Sequence, residues 1–226
     1  NWESLFQRVN EALQISEAAV VSQEVFGDTA RGMTAFRKVF GEVRWPLTWI
    51  GQPPGQERRV IGTQVWAVHG TTPTRLRVNG RVLGSVLDFP EAQVCRLGGL
   101  LPEDQAASDE DQAYSVFQVM QSALETVEMD FSEVLRTWFY NRDILDWYGE
   151  FNKARSRFFE ERIVFDGLVP SSTGIAGFTN TKAALCGELV AVQPKEGWLV
   201  VQPVPSPLQC PALAYGSAFS RAVEYS

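Results

Sequence analysis

Val134-Leu135-Arg136-Thr137-Trp138-Phe139-Tyr140, followed by Ile144, Trp147, Tyr148, Phe151, Ala154 and Phe158, is the stretch on which the fold turns. The first run is rich in strand-forming residues and predicts a strand with Trp138 and Tyr140 on one face. The second places apolar residues three and four apart, which predicts a helix lying on a sheet by that stripe.

Working outward, Ala113, Phe117, Met120, Leu124 and Val127 predict another helix, entered from the acidic, polar residues 102–111. Strands are expected at 184–192 and 197–201 on one side, and at 60–70, 74–78 and 81–87 on the other. Asn79-Gly80 joins the last two of these as a tight hairpin, and all three are expected to be antiparallel neighbours. This order predicts an α+β domain, a mixed β-sheet with two helices on one face.

Nearer the start, Leu5, Phe6, Val9 and Leu13 predict a helix, residues 18–26 a strand, residues 28–40 a second helix and residues 46–50 a second strand. This βαβ-like region is too small to close a core alone. Gly51-Gln52-Pro53-Pro54-Gly55-Gln56 reads as turn and linker, which divides the chain into residues 1–56 and 57–226. The first part is expected to be a partial, diverged copy of the second.

The 226 residues are 45% hydrophobic and 12% aromatic, enough for a packed core. A net charge of -7 argues against a nucleic-acid partner, which calls for a concentrated cationic face. The basic clusters at 58–59, 75–81 and 153–162 read as solvated faces. Cys95, Cys186 and Cys210 are widely spaced in apolar runs, which fits a reducing, cytoplasmic location. With His69 the single histidine, no metal site is expected, and neither a Cys-His nor a Ser-His-Asp arrangement has its parts. No apolar run reaches the roughly 20 residues of a membrane span. The chain starts at Asn1 rather than Met, so residues upstream of it are expected.

Four clusters carry candidate chemistry. The polar-tipped aromatics of 136–152 suit either a pocket for a ring or flat acid, or a helix–sheet seam. The small-residue stretch 170–177, with Thr173 and Gly174, reads as a loop whose N–H groups can approach an anion, or as a plain turn. Glu188 is a carboxylate in an apolar strand; if buried, its pKa rises and it can relay protons near neutral pH, and alternation alone admits either face. The tail offers Gln209, Tyr215 and Arg221, with Arg221 able to fork onto a carboxylate, or to pack as irregular cover.

Taken in order, these clusters resemble the RidA/YjgF superfamily over about residues 60–222. Residues 134–159 resemble its core strand-to-helix unit, and Glu188-Leu189-Val190-Ala191-Val192 resembles its late strand. Arg136-Thr137-Trp138 with Tyr140, then Thr173-Gly174-Ile175, then Gln209, Tyr215-Gly216 and Arg221-Ala222 resemble the superfamily's chorismatase-like branch. The resemblance implies a RidA/YjgF-like (chorismate-mutase-like) fold, a homotrimer, and a cofactor-free hydrolase or lyase acting on a small carboxylate-bearing metabolite, chorismate-like or an imine or enamine. It implies Glu188 as the catalytic residue, with Arg136, Trp138, Tyr140, Thr173, Gly174, Gln209, Tyr215 and Arg221 binding substrate. Where the imine deaminases of this superfamily carry a carboxylate-clamping Arg, this chain has Ser172, which also admits a non-catalytic metabolite-binding protein on the same fold.

Overall fold

The computed structural model describes residues 1–52, 61–179, 181–195 and 199–226. The elements are, in order, α1 (Trp2–Ile15), β1 (Ala18–Phe26), α2 (Thr29–Phe40), β2 (Leu47–Ile50), β3 (Gly62–His69), β4 (Thr74–Val78), β5 (Arg81–Asp88), β6 (Ala92–Leu100), α3 (Asp109–Glu125), β7 (Val134–Asn141), α4 (Ile144–Glu161), β8 (Ser171–Ala176), β9 (Leu185–Pro194), β10 (Val201–Val204) and β11 (Ala222–Tyr225).

Six strands in the order β4-β5-β6-β9-β7-β8 form the main sheet. It is mixed: β7 and β8 run parallel, joined across α4, and the other pairings are antiparallel. The stripes of α3 and α4 bury against one face of it, with Phe117, Phe131, Phe139, Phe151, Phe158 and Phe159 almost wholly enclosed. Phe117 stacks on Phe158 at 5.3 Å and tilts against Phe139 at 5.0 Å, spacings that favour aromatic pairs. Ser108 caps α3 by accepting from the Asp111 N–H, and acids fill the first turn, where the helix dipole favours them. Asn79 and Gly80 both take positive φ, the left-handed pair that a two-residue hairpin needs. The α+β plan with two helices on one face of a mixed sheet is therefore the plan of this chain.

Three sequence expectations need correction. Residues 60–70 do not join the 74–78 and 81–87 hairpin; β3 pairs antiparallel with β1, in a separate sheet of order β2-β1-β3. The 170–177 stretch is not a loop: β8 forms there because β7 offers a parallel ladder to a run whose Gly and Ala are poor strand formers. The strand expected at 197–201 does not finish the main sheet; β10 pairs with β11 in a two-stranded ribbon, and residues 196–198 lie outside the described residues. Residues 53–56 of the expected linker also lie outside them.

The N-terminal sheet repeats the plan of the main one. β1 runs parallel to β2 across α2 and antiparallel to β3, as β7 runs parallel to β8 across α4 and antiparallel to β9. Each first strand carries a bulge, between Val20 and Ser22 in β1 and between Val134 and Arg136 in β7. Two residues past each bulge, Glu24 stands opposite Gln64 and Trp138 opposite Glu188. Connectivity and the position of the bulge are thus common to the two sheets, and β3, the third strand of the N-terminal one, lies beyond position 56.

The two sheets meet face to face, away from their helices. The bulge in β1 turns two carbonyls outward, and the main sheet takes both: Arg75 donates to the Val20 oxygen at 2.7 Å and Ser85 to the Val21 oxygen at 2.6 Å. The sheet-to-sheet seam is thus fixed by backbone acceptors that pairing within β1 leaves over.

Candidate functional site at the seam between the two sheets

Glu188 settles on the buried face of β9 and is 1% exposed. Its Oε2 lies 3.0 Å from Arg96 Nη2, and the Tyr140 hydroxyl donates to the same oxygen at 3.5 Å. Arg96 Nη2 also reaches Glu24 Oε1 at 2.8 Å, and Arg96 Nε donates to Ser22 at 3.3 Å. One guanidinium therefore serves two enclosed carboxylates, one from each sheet.

The electrostatics follow from that count. Burial is the largest influence on Glu188 and raises its pKa to about 7; the Arg96 charge opposes this, Glu24 adds to it, and hydrogen bonds from Thr48 and Tyr140 favour the carboxylate. The Tyr140 phenol is driven well above its ordinary range, first by burial and then by the Glu188 charge. Glu188 is thus a group that gains and loses a proton near neutrality, beside a phenol that stays protonated.

Arg96 lies over the Trp138 ring at 4.4 Å, and Arg136 over the same ring at 4.9 Å. Arg136 donates to Thr173 at 2.7 Å, and Thr137 pairs with Ser172 at 2.9 Å. Because Trp138 and Glu188 are direct cross-strand partners, and β8 follows β7 in register, Arg136, Trp138, Tyr140, Thr173 and Glu188 share one face. Gly174 lies on the opposite face of β8, where a Cβ would approach Ile144 at 3.5 Å.

The tail residues lie elsewhere in the chain. Arg221 donates to the Tyr215 hydroxyl at 2.7 Å, and its guanidinium lies over Phe219. Arg155 of α4 approaches the same Phe219 ring, which puts this cluster beside the helices. Gln209 is exposed. Within one copy of the chain, Gln209, Tyr215 and Arg221 do not converge on Glu188.

Glu24, Arg96 and Thr48 are seam residues that sequence reasoning missed. Their signal was available: Ser22-Gln23-Glu24 between Val21 and Val25, and Arg96 between Cys95 and Leu97, put polar residues inside apolar strands. Such a residue is retained when a partner meets it.

A cavity of about 760 Å³ is lined by none of the residues expected to form the site. It adjoins the seam: Gly98 and Cys186 line it, and a Cβ on Gly98 would stand 3.8 Å from Glu188 Oε1. Among the described residues no helix is long and apolar enough to cross a membrane.

Fold and seam together define an α+β protein with an enclosed carboxylate–guanidinium–carboxylate cluster between two related sheets. The chain is similar to solved structures that include an uncharacterized protein from Pseudomonas aeruginosa (17% identity, 54% of this chain and 98% of that one, TM-score 0.45). It is also similar to E. coli TdcF with bound serine (16%, 52% and 91%, TM-score 0.44) and to the E. coli YjgF gene product (16%, 53% and 92%, TM-score 0.44). The likeness covers about half of this chain. No protein-family model matches the chain, and no curated protein matches it.

Proposed function

We propose that the chain is a RidA/YjgF-like, cofactor-free hydrolase or lyase acting on a small carboxylate-bearing metabolite, with Glu188 as the proton relay. The observation that carries this is the setting of Glu188: enclosed, with a pKa of about 7, hydrogen-bonded to a buried phenol and one residue's thickness from a cavity. A general acid–base is most effective when its pKa lies near the working pH. Protonated Glu188 delivers a proton to the unsaturated carbon or the imine nitrogen, ionised Glu188 takes one from the water that adds to the activated carbon, and that proton goes to the alcohol or amine that leaves as the carbonyl forms. Arg136, Trp138 and Thr173, on the same face, orient the substrate. Kinship with the chorismatase-like branch and assembly as a homotrimer belong to the same proposal.

The test is release of pyruvate from chorismate by the purified protein, run beside hydrolysis of an enamine generated from an amino acid. Turnover lost in Glu188→Gln supports the relay; turnover unchanged in that variant removes it.

A second reading, a non-catalytic metabolite-binding protein, is favoured by one observation. Arg96 holds Glu188 in an ion pair behind Gly98, while Ser172 occupies the place of the clamp Arg and is hydrogen-bonded to Thr137. Saturable metabolite binding with no turnover of either substrate type favours this reading.

A further inference from the structure

The cavity beside the seam has features of its own. It lies between α2, β2 and the adjoining ends of β5 and β6, and its volume of about 760 Å³ is that of a small-molecule pocket. Its floor is apolar, with Trp49, Leu83 and Cys186 all buried. Part of its wall is bare backbone at Gly98 and Gly99. Gly99 has φ +64°, and a Cβ there would come within 2.5 Å of the Leu47 carbonyl oxygen, so the wall is closed to any side chain at that point.

The mouth is cationic in a chain whose net charge is -7. Arg37, from the last turn of α2, and Arg81, from the first residue of β5, both line it, and Glu42 stands there as well. Among the described residues neither arginine has a carboxylate in ion-pair contact, and Arg81 donates only to the Gly99 carbonyl, at 3.2 Å. Burial, and after it the Glu188 charge, push the Cys186 thiol at the floor up, and the Arg81 charge opposes them. Helix-end electrostatics account for a cation at the end of α2, but not for a second one brought to the same mouth by β5.

We infer that this cavity binds a small monocarboxylate with an apolar, ring-sized body, the body on Trp49, Leu83 and Cys186 and the carboxylate between Arg37 and Arg81. A guanidinium pair at the rim of an apolar floor selects an anionic head and a water-avoiding body together. The cavity is apart from the face that carries Arg136, Trp138 and Thr173, so the inference goes beyond the proposed function and does not rest on it. Binding itself follows from the cavity.

The test titrates the full chain calorimetrically with benzoate, cyclohex-1-enecarboxylate and neutral benzamide. Arg37→Gln, Arg81→Gln, the double variant and Glu188→Gln are titrated alongside. Arg37 and Arg81 are exposed, so the glutamine variants keep the fold, checked by circular dichroism. The expected result is saturable binding of both carboxylates and none of benzamide, weakened about tenfold by each arginine substitution and lost in the double variant. Glu188→Gln is expected to bind as the parent does. Absence of saturable carboxylate binding, benzamide binding equal to benzoate, or an unaffected double variant each overturns the inference. Normal binding in Glu188→Gln with turnover intact removes the relay and leaves the cavity standing. Turnover that depends on Glu188, with no saturable carboxylate binding that the arginine substitutions weaken, removes the cavity and leaves the relay standing.

Discussion

The guanidinium of Arg96 lies 3.0 Å from the Glu188 carboxylate, and its same nitrogen meets Glu24 of the other sheet at 2.8 Å. Removing it leaves two enclosed carboxylates without a cation. Arg96→Met is expected to cost about 3–5 kcal/mol at pH 8 by urea denaturation. The cost is expected to shrink at pH 5, where Glu188 carries a proton.

Glu188 gives stability a pH dependence of definite sign. Its folded pKa, about 7, lies above the ordinary 4.5, so the folded state holds the proton more tightly than the unfolded state does. Its contribution is full below about pH 4.5, falls as pH rises toward 7, and is gone above that, a change on the order of 3 kcal/mol. Urea midpoints measured from pH 5 to pH 8 are expected to fall in the parent chain and to fall less in Glu188→Gln.

Gly99 tests the close approach of the two sheets. An alanine there meets both a left-handed backbone and the Leu47 carbonyl oxygen. Gly99→Ala is expected to lose about 1–3 kcal/mol, read as a lower Tm.

The thiols divide by burial. Cys95 is pushed up to about 12 by desolvation, Cys186 is raised further, and Cys210 is exposed. A disulfide reagent at pH 8 is expected to find Cys210 fast in the folded chain and Cys95 only after denaturation. Rapid modification of Cys95 in the native protein contradicts the packing of the main sheet.

Phe117 has no exposed surface and touches rings from β7 and α4. Phe117→Ala is expected to destabilise by about 3–5 kcal/mol, measured by chemical denaturation.

The helices were legible because their apolar stripes, such as Phe117, Met120 and Leu124, repeat with the period that burial on a sheet demands. The β4–β5 hairpin was legible because Asn79-Gly80 has few other uses. The destination of β3 was not, since alternation says which face is buried and nothing about which strand lies alongside. Residues 171–176 misled because Gly174 and Ala176 are poor strand formers and Ser suits turns as well, and the parallel ladder on β7 is a long-range fact. Glu188 was found as a titratable residue, but its face, its Arg96 partner and its distance from the tail residues depend on how two sheets meet. The cavity escaped for the same reason: α2, β2, β5 and β6 each supply a piece.

The N-terminal sheet that covers Glu188 has a consequence for assembly. When a wall of a site comes from a separate molecule, dilution strips it away. Here Ser22, Glu24 and Thr48 are tethered to the sheet they cover, so their local concentration is set by chain connectivity and not by the amount of protein present. The environment that lifts Glu188 is therefore expected to survive at dilutions where any contacts between chains are lost.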